Sequence, residues 1–205
     1  MRTAGRESRA RAGAPDAAAP LDEWLRWLEA GRGEQIDLGL ERCREVAAQL
    51  GLNKPAPVVV TVAGTNGKGS TAIFLEQVLL SSGARVGATL SPHLHVFNER
   101  IRLHGEEVTD RSLIESFEAV EAARNGVPLN YFEYAVLAAL TCFRREDLDF
   151  AILEIGLGGR LDAFNSSMQT SALLLASVLI TRNTLVPTEI VSAVKKPGYY
   201  DPVSR

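Results

Sequence analysis

Apolar positions along this chain follow two rhythms, one near the 3.6-residue helical period and one of short unbroken β-branched runs. Leu21, Trp24, Leu25 and Leu28 fall at helical spacing, and Leu38 to Leu50 repeats the pattern until Gly51 stops it, so two helices precede the first strand. That strand is the β-branched run starting at Val58. Ser70 to Leu80 then reads as a helix, Ala84 to Leu90 as a short strand, and Glu99 to Val108 as a hairpin turning at His104-Gly105. Thr109 or Asp110 can cap a helix running to about Arg124, Tyr131 to Arg145 forms another, and Asp149 to Leu153 is a buried strand ending at Glu154. Strands alternating with helices predict an α/β fold with a doubly wound, mainly parallel sheet.

Composition narrows the picture without changing it. The chain has 205 residues, 46% of them apolar, which is enough for one substantial core. A net charge of −3 with acids and bases interspersed offers no field for nucleic acid or an anionic membrane, and neither is expected as a partner. No apolar run approaches the roughly 20 residues that span a bilayer. Residues 1–20 are rich in Ala and Arg, lack the apolar block of a secretory signal, and are expected to be a disordered extension. Cys43 and Cys142 have no metal-ligand spacing and read as reduced thiols, which with the lack of an export signal places the protein in the cytoplasm.

The candidate chemistry begins where the first strand ends. Gly64-Thr-Asn-Gly-Lys-Gly-Ser70 joins that strand to a helix, and its glycines at 64, 67 and 69 let the backbone turn tightly and aim N–H groups inward. Lys68 adds a point charge and the following helix its positive dipole end, so the loop is a candidate site for a nucleoside triphosphate. An ordinary glycine-rich turn would need the glycines but would have no use for the lysine. The usual P-loop carries a glycine five positions before its Gly-Lys pair, where this chain has Val62. The compact spelling instead resembles the ATP loop of the Mur ligase superfamily.

Ligands of open α/β sheets bind at the carboxyl ends of the strands, where Glu154 is placed. One carboxylate and one or two hydroxyls beside phosphates suffice for Mg²⁺. Taken alone, a strand-end Glu reads as a solvated surface acid. The following Gly156-Leu-Gly-Gly-Arg-Leu-Asp162, with three glycines and the charges of Arg160 and Asp162, favours a ligand. Ser91-Pro-His-Leu94 follows the second strand and should emerge on the same edge, where Ser91 could complete the metal site. Local pattern does not separate this from a turn former and a surface histidine. Asn130-Tyr-Phe-Glu133 reads locally as a capped helix start whose aromatics join the core.

Taken together, Gly64 to Ser70, Ser91 to Leu94, Asn98-Glu-Arg-Ile101, Tyr131-Phe-Glu133 and Glu154-Ile-Gly-Leu-Gly-Gly-Arg-Leu-Asp-Ala163 resemble folylpolyglutamate synthase/dihydrofolate synthase. The likeness runs from about Leu21 to Asn165 and includes Ile36-Asp-Leu-Gly-Leu-Glu-Arg42. It implies ATP held by Gly64, Thr65, Asn66, Gly67, Lys68, Gly69 and Ser70, and Mg²⁺ held by Ser91 and Glu154. Lys68 and Glu154 would be catalytic. Asn130, Tyr131, Phe132, Glu133, Leu161, Asp162 and Ala163 would contact the pterin substrate, with Asn130 standing where the family usually has threonine. The implied reaction ligates L-glutamate to dihydropteroate or a folyl glutamate through an acyl phosphate, in a monomer whose partners are these small molecules. A non-catalytic nucleotide-binding remnant and another Mur-type ligase are the alternatives. Tyr131-Phe-Glu133 and the Gly158-Gly-Arg-Leu-Asp162 loop argue against the second of these.

Beyond Asn165 the likeness ends. The family continues with an Asp-His pair, a Glu-Lys-Ala-Gly segment and a glutamate-binding domain, whereas residues 166–205 show none of these and no histidine follows His104. Residues 21–165 are therefore expected to be an incomplete ATPase domain with little ligase activity. Residues 166–205 are expected to be a frame-shifted tail that orders or packs poorly. Read one base out of register, Leu179-Ile-Thr181 permits Asp-His, Arg182-Asn183 permits Glu and Val194 to Gly198 permits Glu-Lys-Ala-Gly, in family order. Sequencing the gene across codons 165 to 168 is expected to reveal a one-base change; an intact frame overturns this reading.

Overall fold

A computed structural model describes residues 13–30, 40–52, 54–156 and 172–175. Two helices, α1 (Leu21–Ala30) and α2 (Leu40–Gln49), lead into strand β1 (Val58–Ala63), helix α3 (Lys68–Ser81) and strand β2 (Val86–Thr89). A 3₁₀ turn at Phe97–Arg100 precedes the short strands β3 (Ile101–Leu103) and β4 (Glu106–Glu107). Helices α4 (Asp110–Arg124) and α5 (Tyr131–Arg145), then strands β5 (Phe150–Glu154) and β6 (Ala172–Leu175), complete the order.

The sheet runs β4-β3-β2-β5-β1-β6, parallel through β2, β5, β1 and β6 and antiparallel at β3 and β4. Strands β2 and β5 are buried along nearly their whole length because both faces are covered. Val59, Ala151 and Leu153 join the large core under α1, α2, α4 and α5, while Val60, Val62, Ile152, Val86 and Ala88 face α3. Helices on both faces make the sheet doubly wound, as the alternating pattern predicts.

Register places the functional edge. Val62 pairs with Glu154 and Thr89 with Leu153, so β1, β2 and β5 end flush and the segments that follow them meet. The Ile155 N–H donates to the Val62 carbonyl (3.0 Å) and the Glu154 N–H to Thr89 Oγ1 (3.2 Å), fixing this alignment.

The helix boundaries follow local chemistry. Thr109 caps α4, its hydroxyl accepting from the Ser112 N–H, and Asn125 closes it in the left-handed region at φ 44°. Helix α3 starts at Lys68, two residues before the pattern suggests, since Gly67 takes the left-handed N-cap conformation and brings the loop's end into the first turn. The hairpin does turn at His104-Gly105, but Glu99 is not in it: residues 97–100 coil into the 3₁₀ turn. Ala172–Leu175, inside the tail expected to pack poorly, is a regular strand beside β1, because a short aliphatic run suits a parallel sheet edge. The rest of that tail, the 1–12 part of the N-terminal extension and residues 157–163 lie outside the described residues.

Two clusters hold the layers together. Trp24 stacks on Phe117 (5.9 Å), which meets Phe97 (5.8 Å) and Tyr134 (6.2 Å) edge-on, joining α1, α4, α5 and the 3₁₀ turn. On the other face the Arg102 Nε donates to the fully buried Glu76 carboxylate (2.9 Å), tying β3 to α3. Arg102→Met is expected to destabilise the fold by about 3–5 kcal/mol by leaving that carboxylate buried without its partner, and adding Glu76→Leu to recover most of the loss. Urea unfolding of the two variants checks this.

Candidate functional site

The loop after β1 is shaped by its glycines. Gly64 lies at φ 148° and Gly67 at φ 74°, backbone conformations that side chains resist, and Gly67 caps α3 with no side chain to accept its N–H groups. No acid stands in the first turn of α3. The N–H groups of that turn lack intrahelical acceptors, and with the helix dipole and Lys68 they suit an anion. Thr65, Asn66 and Ser70 are exposed around it.

Glu154 faces this end directly. A Cβ placed on Gly69 would lie 3.5 Å from Glu154 Oε2 and 3.9 Å from Oε1, ordinary contact distances that put the first turn of α3 against the carboxylate. Glu154 is only 4% exposed. Burial pushes its carboxyl above the usual range, against the opposing pull of the Ser91 N–H and of the Lys68 and Arg100 charges. The Ser91 N–H donates to Glu154 Oε2 (2.9 Å), and the Ser91 hydroxyl would lie 3.3 Å from a Cβ on Gly156. The two candidate metal ligands are therefore neighbours beside the phosphate loop.

A desolvated carboxylate adjoining a hydroxyl and a phosphate-binding turn suits a hard divalent cation. Among the described residues no group of three or more His, Cys, Asp or Glu side chains is arranged to hold a metal, so Glu154 and Ser91 could hold one only together with phosphate oxygens or water.

A small cleft opens from this corner between β2, β5 and α5, lined by Thr89, Ser91, Arg100, Phe132, Val136 and Glu154. Phe132 reaches it, its ring 3.1 Å from the Cβ position on Gly156. The neighbouring residues are used differently. Asn130 Oδ1 accepts from the Glu133 N–H (2.9 Å) and Glu133 Oε2 from the Asn130 N–H (2.8 Å), a reciprocal cap that starts α5. Glu133 Oε1 also pairs with Arg42 (3.4 Å), and Tyr131 is buried against Phe97. For Asn130, Tyr131 and Glu133 the structure shows the local reading, a capped helix with an aromatic in the core, while Phe132 faces the cleft. Leu161, Asp162 and Ala163 lie outside the described residues.

Two residues that pattern alone places in a hairpin strand belong at the site. Arg100 lies over the Phe97 and Tyr131 rings (5.5 and 5.9 Å), its Nε donates to His93 Nδ1 (2.7 Å), and it lines the cleft with Glu154. Glu99 accepts the N–H groups of Leu94 (2.6 Å), His95 (2.7 Å) and Val96 (3.0 Å). Only the cluster Asn98-Glu-Arg-Ile101 signalled them, and its spacing says nothing about the loop it holds.

A mostly parallel, doubly wound sheet with a lysine-bearing glycine loop opposite a strand-end carboxylate defines the Mur-ligase-type α/β architecture. The chain is homologous to the dihydrofolate synthase/folylpolyglutamate synthases. It is 52% identical over 151 residues to that enzyme of Escherichia coli, covering 74% of this chain and 36% of that protein. It is 42% identical over 184 residues to that of Haemophilus influenzae, covering 90% and 42%. Among solved structures, E. coli FolC in complex with DHPP and ADP superposes with a TM-score of 0.77 at 47% identity, over 82% of this chain and 41% of that one. The Yersinia pestis bifunctional enzyme complexed with AMPPNP and Mn ion gives 0.78 at 44% identity, over 85% and 42%. The chain thus spans about two fifths of these relatives. No protein-family model matches it.

Three N–H donors hold the Glu99 carboxyl at about 2, below its ordinary 4.5. A depressed carboxyl stabilises the fold above its unfolded value and loses that contribution as pH falls through the folded one. The stability difference between wild type and Glu99→Gln is therefore expected to be full above pH 4.5 and to shrink toward pH 2, as thermal unfolding across that range measures.

Proposed function

We propose that this chain binds Mg·ATP and serves the ligation of L-glutamate to dihydropteroate or a folyl glutamate. The observation that carries this reading is the buried Glu154 carboxylate facing the Gly69 turn, with Ser91 beside it. Relatives solved with ADP and DHPP, and with AMPPNP, Mn and L-glutamate, support it.

In this reading the backbone N–H groups of Gly64 to Ser70 and the Lys68 ammonium grip the triphosphate. Ser91 and Glu154 hold Mg²⁺, which when bound neutralises charge on the phosphate oxygens. A substrate carboxylate in the cleft attacks the γ-phosphorus, the bond to the ADP oxygen breaks, and an acyl phosphate forms. The glutamate amine, having shed a proton, then attacks the acyl carbon; phosphate leaves and an amide bond is made. Lys68 steadies charge on the transferring group, and Phe132 lines the pterin side of the cleft, to which the family resemblance adds Asn130, Tyr131, Glu133 and, outside the described residues, Leu161, Asp162 and Ala163. The chain's contribution is positioning and electrostatics.

A second reading keeps the same loop and carboxylate but no transfer step: nucleotide binding without ligation. Formation of dihydrofolate from dihydropteroate, ATP and glutamate separates the two. Among the described residues no helix is long and apolar enough to cross a membrane. The reaction's need for cellular ATP leads us to propose a cytoplasmic location, and small-molecule partners alone a monomer.

Calorimetric titration with ADP tests the site. Lys68→Ala is expected to weaken binding by about tenfold or more, a loss of ~1.4 kcal/mol. Glu154→Gln is expected to leave binding in EDTA intact and abolish the gain that Mg²⁺ provides. Wild-type protein that ignores ADP, or a Glu154→Gln variant that keeps the full Mg²⁺ gain, contradicts the assignment.

A further inference from the structure

The loop from Ser91 to Val96 has no helix or strand of its own, yet it carries Ser91 and His93 to the site. Four of its N–H groups end on two carboxylates. Glu154 takes that of Ser91, and Glu99 alone takes those of Leu94, His95 and Val96. Arg100, the next residue in the same 3₁₀ turn, holds the His93 ring from the other side, and Asn98 anchors the turn by donating to the Val108 carbonyl (2.8 Å) and to Asp110 (2.9 Å). Three consecutive residues thus clamp the loop, the turn behind it and the cleft.

The loop is held although its apolar tip is not buried: Leu94 is 82% exposed and Val96 51%. Core packing therefore does not fix residues 94–96, and the hydrogen bonds to Glu99 must. The Glu154 carboxylate holds only the first residue, and a cation on that carboxylate would compete with the Ser91 N–H for it.

We propose that Glu99 is a positioning residue: by gathering the Leu94, His95 and Val96 N–H groups it keeps Ser91 presented to the cation beside Glu154. The proposal rests on the Mg·ATP reading of the site. Glu99 touches neither substrate nor metal in this role; it acts through the loop.

The test compares wild type with Glu99→Ala and the milder Glu99→Gln in two measurements. Amide hydrogen exchange at residues 94–96 is expected to speed up strongly in Glu99→Ala and less in Glu99→Gln, which retains one acceptor oxygen. ADP titrations with Mg²⁺ and with EDTA are expected to show the Mg²⁺ gain falling by about 10-fold in Glu99→Ala, the range typical of residues that orient metal ligands, with EDTA affinity unchanged. Unchanged exchange, an unchanged Mg²⁺ gain, or parallel loss of EDTA affinity in both variants overturns the positioning role while leaving the nucleotide site standing. Absence of ADP binding by wild type removes the nucleotide reading and this role with it.

Discussion

The structure turns on one unfavourable placement, a carboxylate buried at the carboxyl edge of a parallel sheet. Glu154 is held by a backbone N–H and attracted by Lys68 and Arg100, but burial outweighs them and its charged form remains disfavoured. A protein selected for stability alone would place an apolar residue there. In the proposed Mg·ATP site a cation and phosphates would offset that cost, since each would relieve the other's desolvation.

The surroundings follow from keeping that carboxylate in place. The flush ends of β1, β2 and β5 bring the glycine loop and Ser91 to it, with Gly69 in the first turn of α3 against the carboxylate. The same edge needs an unpaired loop, because regular structure there would fill the cleft. Irregular backbone still needs partners for its N–H groups. Glu99 supplies three of them from a turn that is itself fastened to Val108 and to Asp110 at the start of α4. Carboxylates therefore organise both ends of the segment, one poised for a ligand and the other committed to the backbone.

Much of this was legible in the residue pattern. The helix from Tyr131 to Arg145 and the strand ending at Glu154 are found where periodicity puts them, because both are long or strongly apolar and bounded by clear caps. The glycine loop announces itself because its chemistry is contiguous. The 3₁₀ turn at Phe97–Arg100 escaped: Glu99 and Arg100 run directly into the alternating Ile101-Arg-Leu103, and what coils them is contact with Val108, Asp110 and the 94–96 loop. The early start of α3 escaped because a left-handed Gly67 leaves no mark beyond the glycine itself.

Sequence by itself determined the layered α/β class and the strand, glycine loop and helix order around Lys68, since these depend on neighbours within a few positions; Ser91 and Glu154 it only nominated. Tertiary structure decided which of them meet. Glu154 lies 63 positions beyond Ser91, yet their hydrogen bond exists because β2 and β5 are adjacent and in register. It also decided that Arg100 faces the cleft and that Asn130 and Glu133 cap one another. Burial and charge at a point in space sum over all the elements that converge there, and no stretch of chain encodes that sum locally.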